Sequence, residues 1–168
     1  MIMLHYKKAV LSDLNWIVEI YNSTVPGKTV TADTEPVTVE SRRSWFEKHD
    51  ARKRPLWIVE SEKQKAIGWV SLQSFYGRPA YEAPAEVSIY LEKGQRGSGY
   101  GRMILKHCME QAPEMGIKTL LGFIFAHNIP SLNLFKSLGF EEWGTLPRIA
   151  LLGDEEKDLK ILGKRLVR

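Results

Sequence analysis

The chain has a single cysteine, Cys108, and so no internal disulfide. This excludes the stapled scaffolds of small secreted domains. Cys108 falls on an apolar helical face, where a buried thiol is expected rather than a catalytic one. No apolar run approaches the roughly 20 residues of a membrane span. In the opening MIMLHYKKAV the charges follow a short apolar segment, the reverse of signal-peptide order, so a cytoplasmic protein with no membrane partner is expected. His5, His49, His107 and His127 are scattered, and no Cys/His cluster has metal-ligand spacing. Charge is nearly balanced: 24 Lys and Arg against 20 Asp and Glu give +4, too small and dispersed an excess for nucleic acid. The mild excess does suit an anionic small ligand. The densest basic run, Lys48 to Pro55, is expected as a solvated helix end. Repeats, linkers and low-complexity tracts are absent, and 168 residues with 43% hydrophobic content imply one globular domain, 1–168.

What is present centres on Glu86 to Arg102, EVSIYLEKGQRGSGYGR. Val87, Ile89 and Leu91 alternate with Ser88, Tyr90 and Glu92, a strand pattern. Glycines then recur at alternate positions, Gly97, Gly99 and Gly101, and a helical pattern follows with Ile104, Leu105, Cys108, Met109 and Ala112 on one face. A strand, a glycine loop and a helix start form an anion site. The first N–H groups of a helix lack internal partners and lie at the positive end of its dipole, and glycine lets a phosphate approach them. A glycine-rich turn with no ligand has the same local signature. The sequence fails the P-loop, because Gly101 is followed by Arg102-Met103 rather than Lys-Ser/Thr. It matches the dinucleotide fingerprint poorly, because the spacing is GxGxG and the strand candidate Lys118 to Phe125 ends without an acid. Arg96-Gly97-Ser98-Gly99-Tyr100-Gly101 fits a third pattern, Arg/Gln-x-x-Gly-x-Gly/Ala.

Around this stretch the chain reads in order. Leu4 to Val10 is a strand, and Ser12 or Asp13 caps a helix to about Asn22. A Thr/Pro/Gly-rich loop runs to Thr38 or Glu40, where a second helix carries Trp45 and Phe46 to about His49. Pro55 to Glu60 and Ala66 to Phe75 make a hairpin, and Gly77 to Pro84 is a loop into the central strand. Gly116 caps the central helix, Lys118 to Phe125 is a buried strand, and a short helix starts at Asn128 or Pro130 and ends at Leu138-Gly139. Glu141 to Leu146 and Leu159 to Val167 are closing strands, joined by a loop containing Gly153 to Glu156. The order is β-α-α-β-β-β-α-β-α-β-β, an α/β (α+β) fold with a mixed sheet of about seven strands and about four helices.

On this order and the Arg96 to Gly101 loop, the sequence resembles the GNAT superfamily of acyl-CoA-dependent N-acetyltransferases. Tyr21-Asn22, Thr29-Val30-Thr31, Asp33-Thr34-Glu35-Pro36, Arg78-Pro79-Ala80-Tyr81, Glu86-Val87-Ser88-Ile89-Tyr90, Asn128, Ser131, Leu138-Gly139-Phe140, Gly144-Thr145-Leu146 and Asp158-Leu159 narrow the likeness. They resemble the branch of phosphinothricin, L-amino-acid and methionine-sulfoximine N-acetyltransferases. The resemblance implies acetyl-CoA as cosubstrate, a small amine as acceptor and a homodimer. It implies that the backbone of Ile89, Tyr90 and Leu91 pairs with the pantetheine arm and that Arg96, Gly97, Ser98, Gly99, Tyr100, Gly101 and Arg102 hold the pyrophosphate. Asn128 and Ser137 would line the same channel, Glu86 would be the general base, and Thr31, Glu35, Arg78, Pro79, Ala80 and Tyr81 would border the acceptor. Arg78 is the expected partner of an acceptor carboxylate.

The chemistry agrees. Aliphatic amines are mostly protonated at neutral pH and must lose a proton before attack. A positioned carboxylate can take it, and a backbone N–H near Ile89 can stabilise the oxyanion. Taken alone, Glu86 is equally readable as a solvent-facing acid at a strand end. Two residues depart from the branch pattern. Phe135 stands where the superfamily often has Tyr and this branch His, so no general acid is available there. Ala32 stands where an aromatic residue is common, which predicts a wider site. Peptide or protein N-acetylation and catalytically weak acyl-CoA binding remain as alternatives. Thiol release separates the last of these from transfer, and the choice of acceptor separates the other two.

Overall fold

The computed structural model describes residues 2–167. One seven-stranded sheet carries the fold, in the order β1-β2-β3-β4-β5-β7-β6. Its strands are β1 (His5–Lys8), β2 (Leu56–Glu60), β3 (Ala66–Ser74), β4 (Pro84–Leu91), β5 (Thr119–Phe125), β6 (Glu141–Leu152) and β7 (Glu155–Arg165). The helices are α1 (Leu14–Asn22), α2 (Val39–Glu47), α3 (Tyr100–Gln111) and α4 (Ile129–Ser137). The element order is the expected GNAT order. All strand neighbours are antiparallel except β4 and β5.

Local chemistry sets the helix ends. The Thr38 hydroxyl accepts from the Ser41 N–H at the start of α2, and the Asn128 side chain accepts from the Ser131 N–H at the start of α4. Asp13 instead reaches back to the Val10 N–H, in a short 3-10 turn that leads into α1. Gly116 adopts φ 76° after α3, the left-handed conformation expected of a cap.

The sheet separates two apolar cores. On one face Ile17, Ile20, Leu56, Ile58 and Trp69 pack with α1 and α2. On the other, Val70, Leu72, Val87, Ile104, Leu105, Cys108, Leu132 and Phe135 pack with α3 and α4. Cys108 is fully buried there, and that burial raises its thiol pKa far above the usual range. β3 and β5 are buried on both faces, which explains their near-continuous apolar runs.

Three expectations need correction. The final hairpin is longer than its pattern, because β6 and β7 pair as far as Leu152 and Glu155 with only Gly153-Asp154 between them. β6 is a mostly exposed edge strand with register shifts at Glu142/Gly144 and Leu146/Ala150, so no burial alternation marks its length. The basic run at Lys48 to Pro55 does not end a helix. α2 stops at Glu47, and Asp50 and Arg54 close a turn through reciprocal backbone hydrogen bonds of 2.9 and 2.7 Å. The loop before β4 holds a 3-10 turn at Pro79–Tyr81. Among the described residues no helix is long and apolar enough to cross a membrane, and no group of three or more His, Cys, Asp or Glu is placed to hold a metal ion.

Among the contacts of helix α4 with the sheet, one is especially close. A Cβ on Gly122 would lie 2.6 Å from Cε1 of Phe135. Gly122→Ala is therefore expected to cost about 1–3 kcal/mol in denaturant unfolding, and Phe135→Leu in the same chain should recover part of that loss.

Candidate active site

The parallel ladder between β4 and β5 ends at Glu86–Leu121. Beyond it the two strands diverge. The Glu92 N–H bonds to the Ile67 carbonyl, so by antiparallel alternation Tyr90, Ser88 and Glu86 direct their backbone groups to β3. Ile89 and Leu91 direct theirs into the gap toward β5. The Leu91 carbonyl accepts from Arg96 Nε at 3.3 Å in that gap. The expected row of three backbone partners thus becomes two, Ile89 and Leu91, while Tyr90 contributes its side chain.

A cavity of about 430 Å³ occupies this gap. Ile89, Leu91, Arg96, Gly101, Asn128 and Phe135 are among its walls. The glycine loop opens beside it. Gly97 and Gly99 have φ 77° and 83°, and a Cβ on either would meet nothing within 4 Å, so their backbone faces open space. The N–H groups of Tyr100, Gly101 and Arg102 begin α3 and have no intrahelical acceptor. Arg102 donates to the Ser137 hydroxyl at 2.6 Å, which ties α3 to α4 at the rim. These features fit a pyrophosphate, which needs backbone donors, cationic side chains and room. Ser98 is exposed, and the Tyr100 side chain packs against the core. The buried Asn128 side chain accepts from Ser131 N–H and donates to the Thr29 carbonyl at 3.3 Å, so it both caps α4 and fastens the Thr/Pro loop.

A second cavity, of about 460 Å³, lies on the α1/α2 face of the sheet. Glu86, Ser88 and Tyr90 point into it from alternate positions of β4, beside Trp69, Ser71 and Gln73 of β3. Val30 and Tyr90 line both cavities, so the two meet there. Thr31 and Ala32 contribute from the loop, and Arg42 and Trp45 from α2. Ala32 is exposed at this wall and contributes only a methyl group to it.

Glu86 is held by a directed chain. The Trp45 indole N–H donates to Gln73 Oε1 at 3.0 Å, and Gln73 Nε2 donates to Glu86 Oε2 at 3.1 Å. An indole only donates, so the amide has one orientation and offers its N–H₂ to the carboxylate. Burial raises the Glu86 pKa, and the Gln73 hydrogen bond partly opposes the rise. A carboxylate with a raised pKa is a stronger base. Beside it, the Tyr90 ring stacks on Trp69 at 4.4 Å, and burial pushes its phenol pKa above the usual range.

Glu86, Thr31, Ile89, Tyr90, Leu91, Arg96, Gly101 and Asn128 therefore gather on the two cavities. Glu35 is exposed and absent from either wall. Arg78, Pro79, Ala80 and Tyr81 form an exposed turn, with Tyr81 edge-on to Phe75 at 5.8 Å, and they also line neither cavity. Proline and the Tyr81 N–H bond to the Arg78 carbonyl keep that turn local. Gln73, Trp45 and Arg42 were not singled out from the sequence. The signal for Gln73 was its place in the alternation Trp69-Ser71-Gln73, and that for Arg42 its i,i+3 spacing to Trp45.

A sheet opened between two parallel strands, with a glycine loop at a helix start on one side and a half-buried carboxylate on the other, defines the architecture of an acyl-CoA-dependent acetyltransferase. The chain belongs to the GNAT acetyltransferases: residues 6–141 match the Acetyltransferase (GNAT) domain. It is 50% identical over 154 residues to the Bacillus subtilis protein named "Putative phosphinothricin acetyltransferase YwnH", covering 92% of this chain and 94% of that one. It is 27% identical to the L-methionine sulfoximine/L-methionine sulfone acetyltransferase of Pseudomonas aeruginosa, over 85% of this chain and 83% of the relative. The crystal structure of a GNAT superfamily phosphinothricin acetyltransferase from Sinorhizobium meliloti in complex with AcCoA superposes with TM-score 0.88, at 25% identity, over 96% of this chain and 88% of that one.

The Gln73 bond gives a pH prediction. Gln73→Leu removes the contact that lowers the Glu86 pKa and leaves the burial that raises it. The acid limb of the pH–kcat/KM profile should move to higher pH, with the high-pH plateau reduced less than the rate at pH 6.

Proposed function

We propose that the enzyme transfers the acetyl group of acetyl-CoA to the amino group of a small amino acid or analogue, of the phosphinothricin, methionine sulfone or methionine sulfoximine type. The observation that carries this reading is the meeting of the two cavities at Val30 and Tyr90, with Glu86 in one and the open β4 edge in the other. The named relatives support the acceptor class.

In this reading the backbone of Ile89 and Leu91 orders the pantetheine arm in the gap. The Gly97 to Arg102 loop and Arg96 hold the pyrophosphate. Bound acetyl-CoA supplies an activated acyl carbonyl. The acceptor ammonium enters the larger cavity, and Glu86 takes its proton, directly or through one water. The neutral amine then attacks, with the Ile89 N–H as the donor aimed into the gap. No covalent enzyme intermediate is needed. Phe135 is buried against Phe140, at 4.9 Å, and over Gly122, so the thiolate takes its proton from another group or from water.

The Thr/Pro loop from Ser23 to Thr38 borders both cavities, held by Asn128 and by His127 Nε2 at 2.8 Å from the Lys28 carbonyl. It favours small acceptors over peptides, which need an open groove. The assembly we propose is a homodimer in the cytoplasm. The exposed Trp143, Ile149 and Leu151 of β6 support self-association.

Release of CoA thiol across amino acids, methionine sulfone, methionine sulfoximine, phosphinothricin and peptides tests the reading. Turnover should be confined to one or a few small acceptors, and Glu86→Gln should lower kcat about 10²–10⁴-fold. Turnover on peptides alone would overturn the acceptor class, and an unimpaired Glu86→Gln would overturn the base. Light scattering on the eluting protein should give twice the chain mass, and Ile149→Asp with Leu151→Asp should shift it toward one.

A further inference from the structure

The larger cavity carries a second charge that the proposed transfer does not use. Arg42, on α2, lines the wall that Glu86 also lines. Its guanidinium is fixed in place. Nη2 donates to Asp33 Oδ2 at 2.6 Å, and Cζ lies 4.6 Å from the centre of the Tyr21 ring. Asp33 is itself positioned: Tyr21 donates its hydroxyl hydrogen to Asp33 and accepts from the buried Thr31 hydroxyl. Nε and Nη1 of Arg42 have no hydrogen-bond partner among the described residues. One edge of the guanidinium is thus anchored, and other donors remain for a ligand.

We infer that Arg42 is the anion-binding residue of the acceptor site, and that the acceptor carries a carboxylate next to the amine Glu86 deprotonates. The inference rests on amino-acid acetylation as the activity. An amino acid is a zwitterion and needs one acceptor and one donor group in the same cavity. Glu86 and Arg42 are such a pair of opposite charges on one wall set. Arg78, the residue expected in this role, lies on an exposed turn outside that wall. The lining also includes an aromatic set, Trp45, Trp69, Phe123 and Phe125, available for the acceptor side chain. Arg42 acts by positioning the acceptor and takes no part in proton transfer. Its loss should therefore raise KM for a carboxylate-bearing acceptor, while kcat falls less.

The experiment compares L-methionine sulfone with its α-carboxamide, in wild type, Arg42→Gln, Arg42→Lys and Arg78→Ala. Wild type should prefer the acid by about 10²-fold in kcat/KM, a typical loss for an unpaired charge-assisted contact. Arg42→Gln should abolish that preference by raising KM for the acid and sparing the amide. Arg42→Lys should retain a part of it, since lysine keeps the charge without the fork. The KM for acetyl-CoA should be unchanged, which also reports that the variants fold. An equal loss on acid and amide would make Arg42 a tie for the loop and overturn the inference. So would a preference that disappears with Arg78→Ala and survives Arg42→Gln. Wild-type turnover of both acceptors at equal rates overturns this inference alone. No thiol release by wild type with any amino acid, with turnover on peptides, overturns the proposed function and this inference with it.

Discussion

The loss of pairing between β4 and β5 after Glu86–Leu121 governs the rest of the molecule. Two parallel strands that stay paired have no backbone groups to offer. Once they part, Ile89 and Leu91 aim unladdered backbone groups into a gap, where Arg96 takes the Leu91 carbonyl and the other groups are left to a ligand or to water. The same divergence puts Glu86 at the apex, the last β4 residue laddered to β5. Its side chain projects to the α1/α2 face while the gap holds the cofactor side. In the proposed reading, this brings the base and the thioester together through nearby positions of one strand. Phe135 lies over Gly122, the first β5 residue past the last rung. That contact gives a packing reason for phenylalanine at a position where a hydroxyl or imidazole was the family expectation.

Glu86 shows how the same fold tunes a group it has positioned. Burial alone would hold the carboxyl protonated to higher pH and leave it poorly oriented. The Trp45–Gln73 chain counters both effects, because it supplies a hydrogen bond to the charged form and fixes which oxygen receives it. In the same cavity, Asp33, Tyr21 and Thr31 do for Arg42 what Gln73 and Trp45 do for Glu86. Each charged side chain is held by neutral or oppositely charged partners that come from different elements.

Much of this was legible in the sequence where the signal is local. The glycine loop, the alternation through β4 and the helix faces are patterns within a dozen residues, and they led to the element order and to Glu86. Arg42 and Gln73 were illegible for the opposite reason. They meet the site only because α2 packs onto this face of the sheet, with Trp45 and Gln73 28 positions apart in sequence. The Arg78 to Tyr81 turn shows the complementary case. It is adjacent to β4 in sequence, yet its 3-10 geometry keeps it on the outer surface of this chain. β6 was read short because Gly144 and Pro147 interrupt its pattern and an exposed edge strand has no buried face to reveal its period.

The Thr/Pro loop has one further implication. It places Val30 in the wall of both cavities, while Asn128 and His127 fasten its backbone beside the start of α4. The two compartments therefore have a common partition. An occupant that shifts this partition on one side alters the fit on the other, and linkage requires the effect to be equal in both directions. In the proposed reading, donor and acceptor affinities are then properties of the pair, coupled through one shared boundary.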